Sequence, residues 1–232
     1  MNHHNTTADA TLHFFAGQLL LEYKDSRGAF IKKCISPQTA RAAFATEPID
    51  SDWLPPHTCR YGEGPKGTWI MLKYEPASYE VLLADPLTVT GHTEPLRALS
   101  IPLPGLLMLG IERHYFLWAF KTWKDTSTTL YEVPLPNVRP NGAVCFGNAT
   151  APIASGKTIQ KAWSLFWESH FSNELTSGKS RRQRENILLL LSELHYDEAR
   201  TYPFDDLVRT RMTLAKIIEQ VTQARGDDPY DT

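Results

Sequence analysis

The chain has 232 residues, 42% of them hydrophobic and 22% charged, with a formal net charge of −2. It can bury a substantial core and reads as an ordinary protein of one domain with a small N-terminal addition. That charge excludes a global attraction to nucleic acid or to an anionic membrane, so neither is an expected partner.

Residues 12–23 and 28–35 read as a hairpin joined through Asp25-Ser26-Arg27-Gly28, and Ser36-Pro37 opens a short helix through Phe44. The Pro- and Gly-rich stretch 46–67 reads as loop. Strands are then expected over 68–74, 79–84, 96–101, 106–111 and 115–121, an antiparallel meander with turn signals between its members. Three helices follow, each marked by one apolar stripe: Ile159, Ala162, Trp163 and Phe166; Ile187, Leu190, Leu191 and Leu194; Leu214, Ile217, Ile218 and Val221. Thr158 suits the N-cap of the first, Gly178 a break after it, and Pro203 a spacer before the third. The expected division is a hairpin and helix over 1–60 packed on a main domain over 61–225, with a frayed acidic tail over 226–232. The longest apolar run, 101–111, is interrupted by Pro102 and Pro104 and is too short to span a bilayer. The first residues lack the basic and apolar regions of a signal peptide, so a cytoplasmic protein is the expectation.

Three cysteines, Cys34, Cys59 and Cys145, show neither a disulfide-rich pattern nor a CxxC pair, which suits a reducing compartment. Cys34 reads as a buried strand-end residue, and Cys59 with His57 cannot fill a zinc site, so no metal or other cofactor is expected. Cys145 differs because of what precedes it. Asn141-Gly142 is the dipeptide a type I′ turn prefers, which would place both residues at positive φ and reverse the chain just before the cysteine. Ala143-Val144-Cys145-Phe146 then reads as a short extended segment ended by Gly147-Asn148. A thiol fixed at the mouth of a loop can form a thioester, and the side-chain amide of Asn137, eight residues upstream, can stabilise an oxyanion beside it. Of the three thiols, Cys145 is therefore expected to be accessible and reactive, with Cys34 and Cys59 protected.

The run Pro136-Asn137, Gly142, Val144 and Cys145 resembles the active-site stretch of ubiquitin-conjugating E2 enzymes. With Val133-Pro134-Leu135, the stretch from Ser100 to Leu107 and Thr129-Leu130-Tyr131, the pattern is similar to prokaryotic E2 family D, whose best-known members are protein B of the bacterial PRTRC genetic system. The similarity is good over about residues 95–175 and loose before them. It implies an α+β E2-like fold, an antiparallel meander backed by C-terminal helices. It further implies that Cys145 carries a ubiquitin-like protein as a thioester and that Asn137 stabilises the oxyanion, with Pro136, Asn141 and Gly142 shaping the loop. Its implied partners are an E1-type (ThiF-like) adenylating enzyme and a JAB-type protease encoded nearby. Leu135 stands where conventional E2 enzymes have His, and Phe146 replaces the usual Leu after the cysteine. The first of these departures supports an alternative, an E2 variant that keeps the fold as a non-catalytic adaptor.

Other constellations compete. Ala151 to Thr158 fits the loosest form of a phosphate-binding loop, but it lacks the first glycine and carries Pro152, so nucleotide binding ranks third behind a plain helix start. Lys179, Arg181, Arg182 and Arg184 gather where a helix is expected to begin, reading as a solvated face or else as a docking patch. His170 and His195 read as ordinary helix residues.

Overall fold

The computed structural model describes residues 10–15, 18–44, 51 and 53–222. The chain is α+β and divides into two compact units, residues 1–51 and 52–232. The expected acidic tail lies outside the described residues. Among those described, no helix is long and apolar enough to cross a membrane.

In the first unit, β1 (Ala10–Phe15), β2 (Gln18–Lys24) and β3 (Phe30–Ile35) form one antiparallel sheet in that order. The segment expected as one strand over 12–23 is thus two, with Phe15 paired to Gln18. The β2–β3 turn falls where Asp25 and Gly28 place it: Asp25 Oδ1 accepts from the backbone N–H groups of Arg27 and Ala29, and Gly28 has φ 79°. Ser36 caps α1 (Pro37–Phe44), its hydroxyl accepting from Thr39 N at 3.1 Å, with Pro37 in the first helical position.

The second unit is built on six antiparallel strands in the order β11-β10-β9-β8-β5-β4: β4 (Thr58–Gly64), β5 (Gly67–Tyr74), β8 (Gly105–Ile111), β9 (His114–Phe120), β10 (Thr129–Tyr131) and β11 (Arg209–Thr213). The long hairpin of β6 (Ala77–Leu87) and β7 (Leu96–Leu103) is inserted between β5 and β8, which pair directly from Trp69↔Ile111 to Tyr74↔Leu106. The meander is therefore interrupted once. Every residue of β8 is buried, because both faces of the sheet are covered. Ile70, Leu72, Leu106, Met108 and Leu117 meet the buried stripes of α2 (Ile159–Glu168) and α3 (Ile187–Tyr196). The alternate set, Met71, Leu107, Leu109, Phe116 and Trp118, meets Leu214, Ile217 and Val221 of α4 (Leu214–Thr222). The C-terminal helices thus back the sheet on both of its faces.

Several expectations need correction. The second half of the stretch expected as loop is β4, where Gly62 lets the backbone pass against Trp69: a Cβ there would lie 2.6 Å from the indole. Thr158 makes no capping bond; its hydroxyl bonds Ile153 O and Ser155 Oγ instead. The basic cluster is not on a helix, since α3 begins at Ile187, capped by Asn186. Within that cluster Lys179 is only 2% exposed. Asp206, itself buried, organises the loop by accepting from Ser180 Oγ (2.9 Å), Arg182 N (2.8 Å) and Tyr202 OH (3.1 Å).

Candidate functional site: the Cys145 hairpin and its cavity

Downstream of β10, the chain dives into the core. Leu135 is fully buried, and Pro134 and Pro136 beside it are buried too, so the position where an E2 His would stand is filled by packing. Asn137 then takes φ 62°, a conformation that Asn tolerates better than most side chains. From it a small hairpin returns: Cys145 N donates to Asn137 O (2.7 Å) and Arg139 N to Ala143 O (2.8 Å). Cys145 thus sits opposite Asn137.

The turn closes on Gly142 N donating to Arg139 O at 2.8 Å, with Pro140 and Asn141 as its central pair. Only Gly142 of the expected type I′ dipeptide has positive φ, 90°, so that turn type is corrected. Pro140 explains the difference, because its fixed φ suits the first central position of an ordinary turn, and Gly142 then rejoins the strand as a bulge. Asn141 contributes through its side chain, Oδ1 accepting from Ala143 N at 3.0 Å. The hairpin is fastened to β9 by Leu117 N donating to Gly142 O and Val144 N donating to Tyr115 O, both at 2.8 Å.

Cys145 is half-buried on a cavity of about 630 Å³, with Asn137 and Phe146 also in the wall. The facing wall comes from the end of α2 and the segment after it, including Glu168, His170, Ser172, Glu174 and Leu175. Phe146 packs edge-on against Tyr115 at 5.6 Å between centroids, so the residue that replaces the usual Leu is absorbed by packing. The Asn137 amide ties the two walls: Nδ2 donates to His170 O at 3.1 Å, and Oδ1 accepts from Ser172 N at 3.4 Å. An amide nitrogen has two hydrogens, so one is left over for a group in the cavity. Leu175 on the far wall has φ 54°, so two non-glycine residues in left-handed conformations line one cavity, the kind of strain that collects at functional sites.

A buried amine lies under the hairpin. Lys179 Nζ donates to Val138 O at 2.7 Å. Desolvation pulls Lys179 down to about 8 despite the favourable charge of Glu132, and desolvation pushes Glu132 up to about 7 against the pull of Lys179.

Asn137, Asn141, Gly142 and Cys145 lie in one hairpin, from which Asn137 and Cys145 line the cavity, and the opposite wall is one that spacing missed. His170 read as an ordinary helix residue but lies beyond α2, exposed and lining the cavity. Helical spacing gives no sign of this, since His170 falls at i+7 from Trp163 and i+3 from Trp167, on the same face as the aromatic stripe. The expectation of a buried Cys34 is overturned, since that residue is exposed, and Cys59 is exposed as a residue too. The Cys59 thiol nonetheless turns inward to donate to Met71 O (3.6 Å), and burial there pushes it up to about 11. The 151–158 stretch spends its polar groups inside the fold, Ala154 N donating to Glu112 O (2.6 Å) and Pro152 O accepting from Tyr115 OH (3.0 Å). That geometry is unlike a phosphate cradle. Among the described residues no group of three or more His, Cys, Asp and Glu side chains is placed to hold a metal ion.

No curated protein and no solved structure matches the chain. The family model described as prokaryotic E2 family D matches residues 32–210, a span that takes in the whole Cys145 hairpin, its cavity and all but the last strand of the sheet beneath. The chain belongs to prokaryotic E2 family D.

Proposed function

We propose that Cys145 carries a ubiquitin-like protein as a thioester, received from a separate E1-type adenylating enzyme. The observation that supports this most is the placement of a half-buried thiol on an open cavity, paired across a hairpin rung with an asparagine that lines the same space. In the first step the Cys145 thiolate attacks the thioester carbonyl on the adenylating enzyme; a C–S bond forms and that enzyme's thiolate leaves. In the second, an amine or hydroxyl attacks the new thioester, its C–N or C–O bond forms, and Cys145 departs as thiolate. The proton lost by the attacking group passes to water or to one of the titratable groups in the far wall, Glu168, His170 or Glu174. The remaining amide hydrogen of Asn137 stabilises the tetrahedral oxyanion. The setting is a prokaryotic cytoplasm and a PRTRC-type system with a JAB-type protease encoded alongside.

A second reading, an inert adaptor, is favoured by one observation: the Asn137 amide is already engaged by His170 and Ser172, which would suffice to explain its burial. Serine substitution separates the two. With the cognate adenylating enzyme, ATP and ubiquitin-like protein, the wild type gives a thiol-labile adduct, Cys145→Ser a slower thiol-resistant oxyester, and Cys145→Ala none. An adaptor binds the same partners and gives no covalent adduct in any form.

A further inference from the structure

On the other side of the Cys145 hairpin lies a second cleft, of about 250 Å³, lined by Arg113, His114 and Arg139 together with Asn141 and Val144. No carboxylate lines it. Among the described residues Arg139 makes no side-chain hydrogen bond or ion pair, and neither does His114; Arg113 makes one bond, to Ala151 O at 2.8 Å. Asn141 accepts through Oδ1 from Ala143 N, which leaves its amide nitrogen to donate. Two guanidinium groups around one concavity repel each other until an anion joins them, and planar guanidinium forks match carboxylates in pairs.

We propose that this cleft binds an acidic segment of a protein partner, its carboxylates paired with Arg113 and Arg139. A nucleic acid fits less well, because a phosphodiester backbone needs an extended run of cations and this chain offers a compact set on a molecule of net charge −2. The site is placed to serve the thiol: Val144 lines this cleft and Cys145, the next residue, lines the other cavity, so a segment held here sits against the hairpin that presents the sulfur. The inference goes beyond the transfer chemistry above, and its test involves no transfer.

Fluorescence anisotropy of a fluorescein-labelled hexaglutamate peptide, at low salt with the full chain, provides the measurement. The wild type binds, and Arg139→Ala weakens binding by about tenfold, the scale of one lost charge-assisted contact. Because the Arg139 side chain is exposed and makes no hydrogen bond or ion pair among the described residues, circular dichroism of that variant stays native. Arg200→Ala, an exposed charge outside the cleft, leaves binding unchanged. Three results would overturn the proposal: no peptide binding by the wild type, equal losses in Arg139→Ala and Arg200→Ala, or displacement of the peptide by millimolar inorganic phosphate, which would assign the cleft to a small anion.

Discussion

Asn137 holds a left-handed backbone conformation, hydrogen-bonds two residues of the facing wall and keeps one amide hydrogen for the cavity, so its removal has two separable effects. Asn137→Ala leaves His170 O and Ser172 N without their partner and lowers stability by about 1–2 kcal/mol. If the spare hydrogen serves the oxyanion, discharge of the thioester to an amine slows by roughly 10²- to 10³-fold in single-turnover assays, while loading is mostly retained. A lower melting temperature with unchanged discharge would make Asn137 a purely structural brace. Lys179 and Glu132 give the site a pH signature. The unfolded amine holds its proton to about 10.5 whereas the buried one releases it near 8, so the unfolded state binds more protons in that window and stability rises with pH. Glu132 acts oppositely below: its folded value near 7 against 4.5 unfolded makes stability fall as pH rises through that range. Cys59, up to about 11 from 9.0, opposes the Lys179 gain above pH 9, so the window from 8 to 9 isolates the amine. Chemical denaturation of the parent against Lys179→Met should show the parent gaining about 1 kcal/mol relative to the variant between those two pH values. Parallel curves would mean that Lys179 is not desolvated. The same thiol shift, set beside an exposed Cys34, predicts that iodoacetamide at pH 8 labels Cys34 at least tenfold faster than Cys59, both followed by peptide mapping.

The hairpin from Asn137 to Cys145 depends on one glycine for two reasons, its φ of 90° and the Trp118 indole, 2.6 Å from where a Cβ would stand. Gly142→Val should therefore cost about 1–3 kcal/mol and misalign Cys145, reducing loading; unchanged melting and unchanged loading would contradict this account of the turn. The importance of Gly142 was legible in the sequence, whereas the turn type was not: Asn-Gly favours one turn and Pro140 another, and the proline prevailed by fixing φ at the first central position. Strands β5 to β9 were legible because each is a short run of strand-forming residues bounded by turn residues. β4, β10 and β11 were not, since they are short or glycine-containing and become strands only by pairing along a sheet laid down elsewhere. Lys179 reads as a surface charge in any window of the sequence, and only the Val138 carbonyl across the fold gives it a reason to be inside.

At the scale of the whole molecule, apolar stripes on α2 and α3 cover one face of a six-stranded sheet and that on α4 the other, so the helix periodicities and the strand runs were enough to foresee an α+β core. The candidate site was half legible. Its near wall, the hairpin, is contiguous in sequence and carries the resemblance; its far wall, from Leu165 to Leu175, reaches the cavity only because α2 ends there. Nothing in local spacing links His170 to Asn137 across 33 residues. The proposed transfer turns on Cys145 being the covalent acceptor. Intact mass spectrometry of the wild-type chain, after incubation with its cognate adenylating enzyme, ATP and ubiquitin-like protein, tests that most directly. The predicted result is a single adduct equal to the ubiquitin-like protein less one water, mapped to the Cys145 peptide and removed by excess thiol. A chain that stays at its own mass while the adenylating enzyme is fully charged, or an adduct mapped to Cys34 or Cys59, would contradict it.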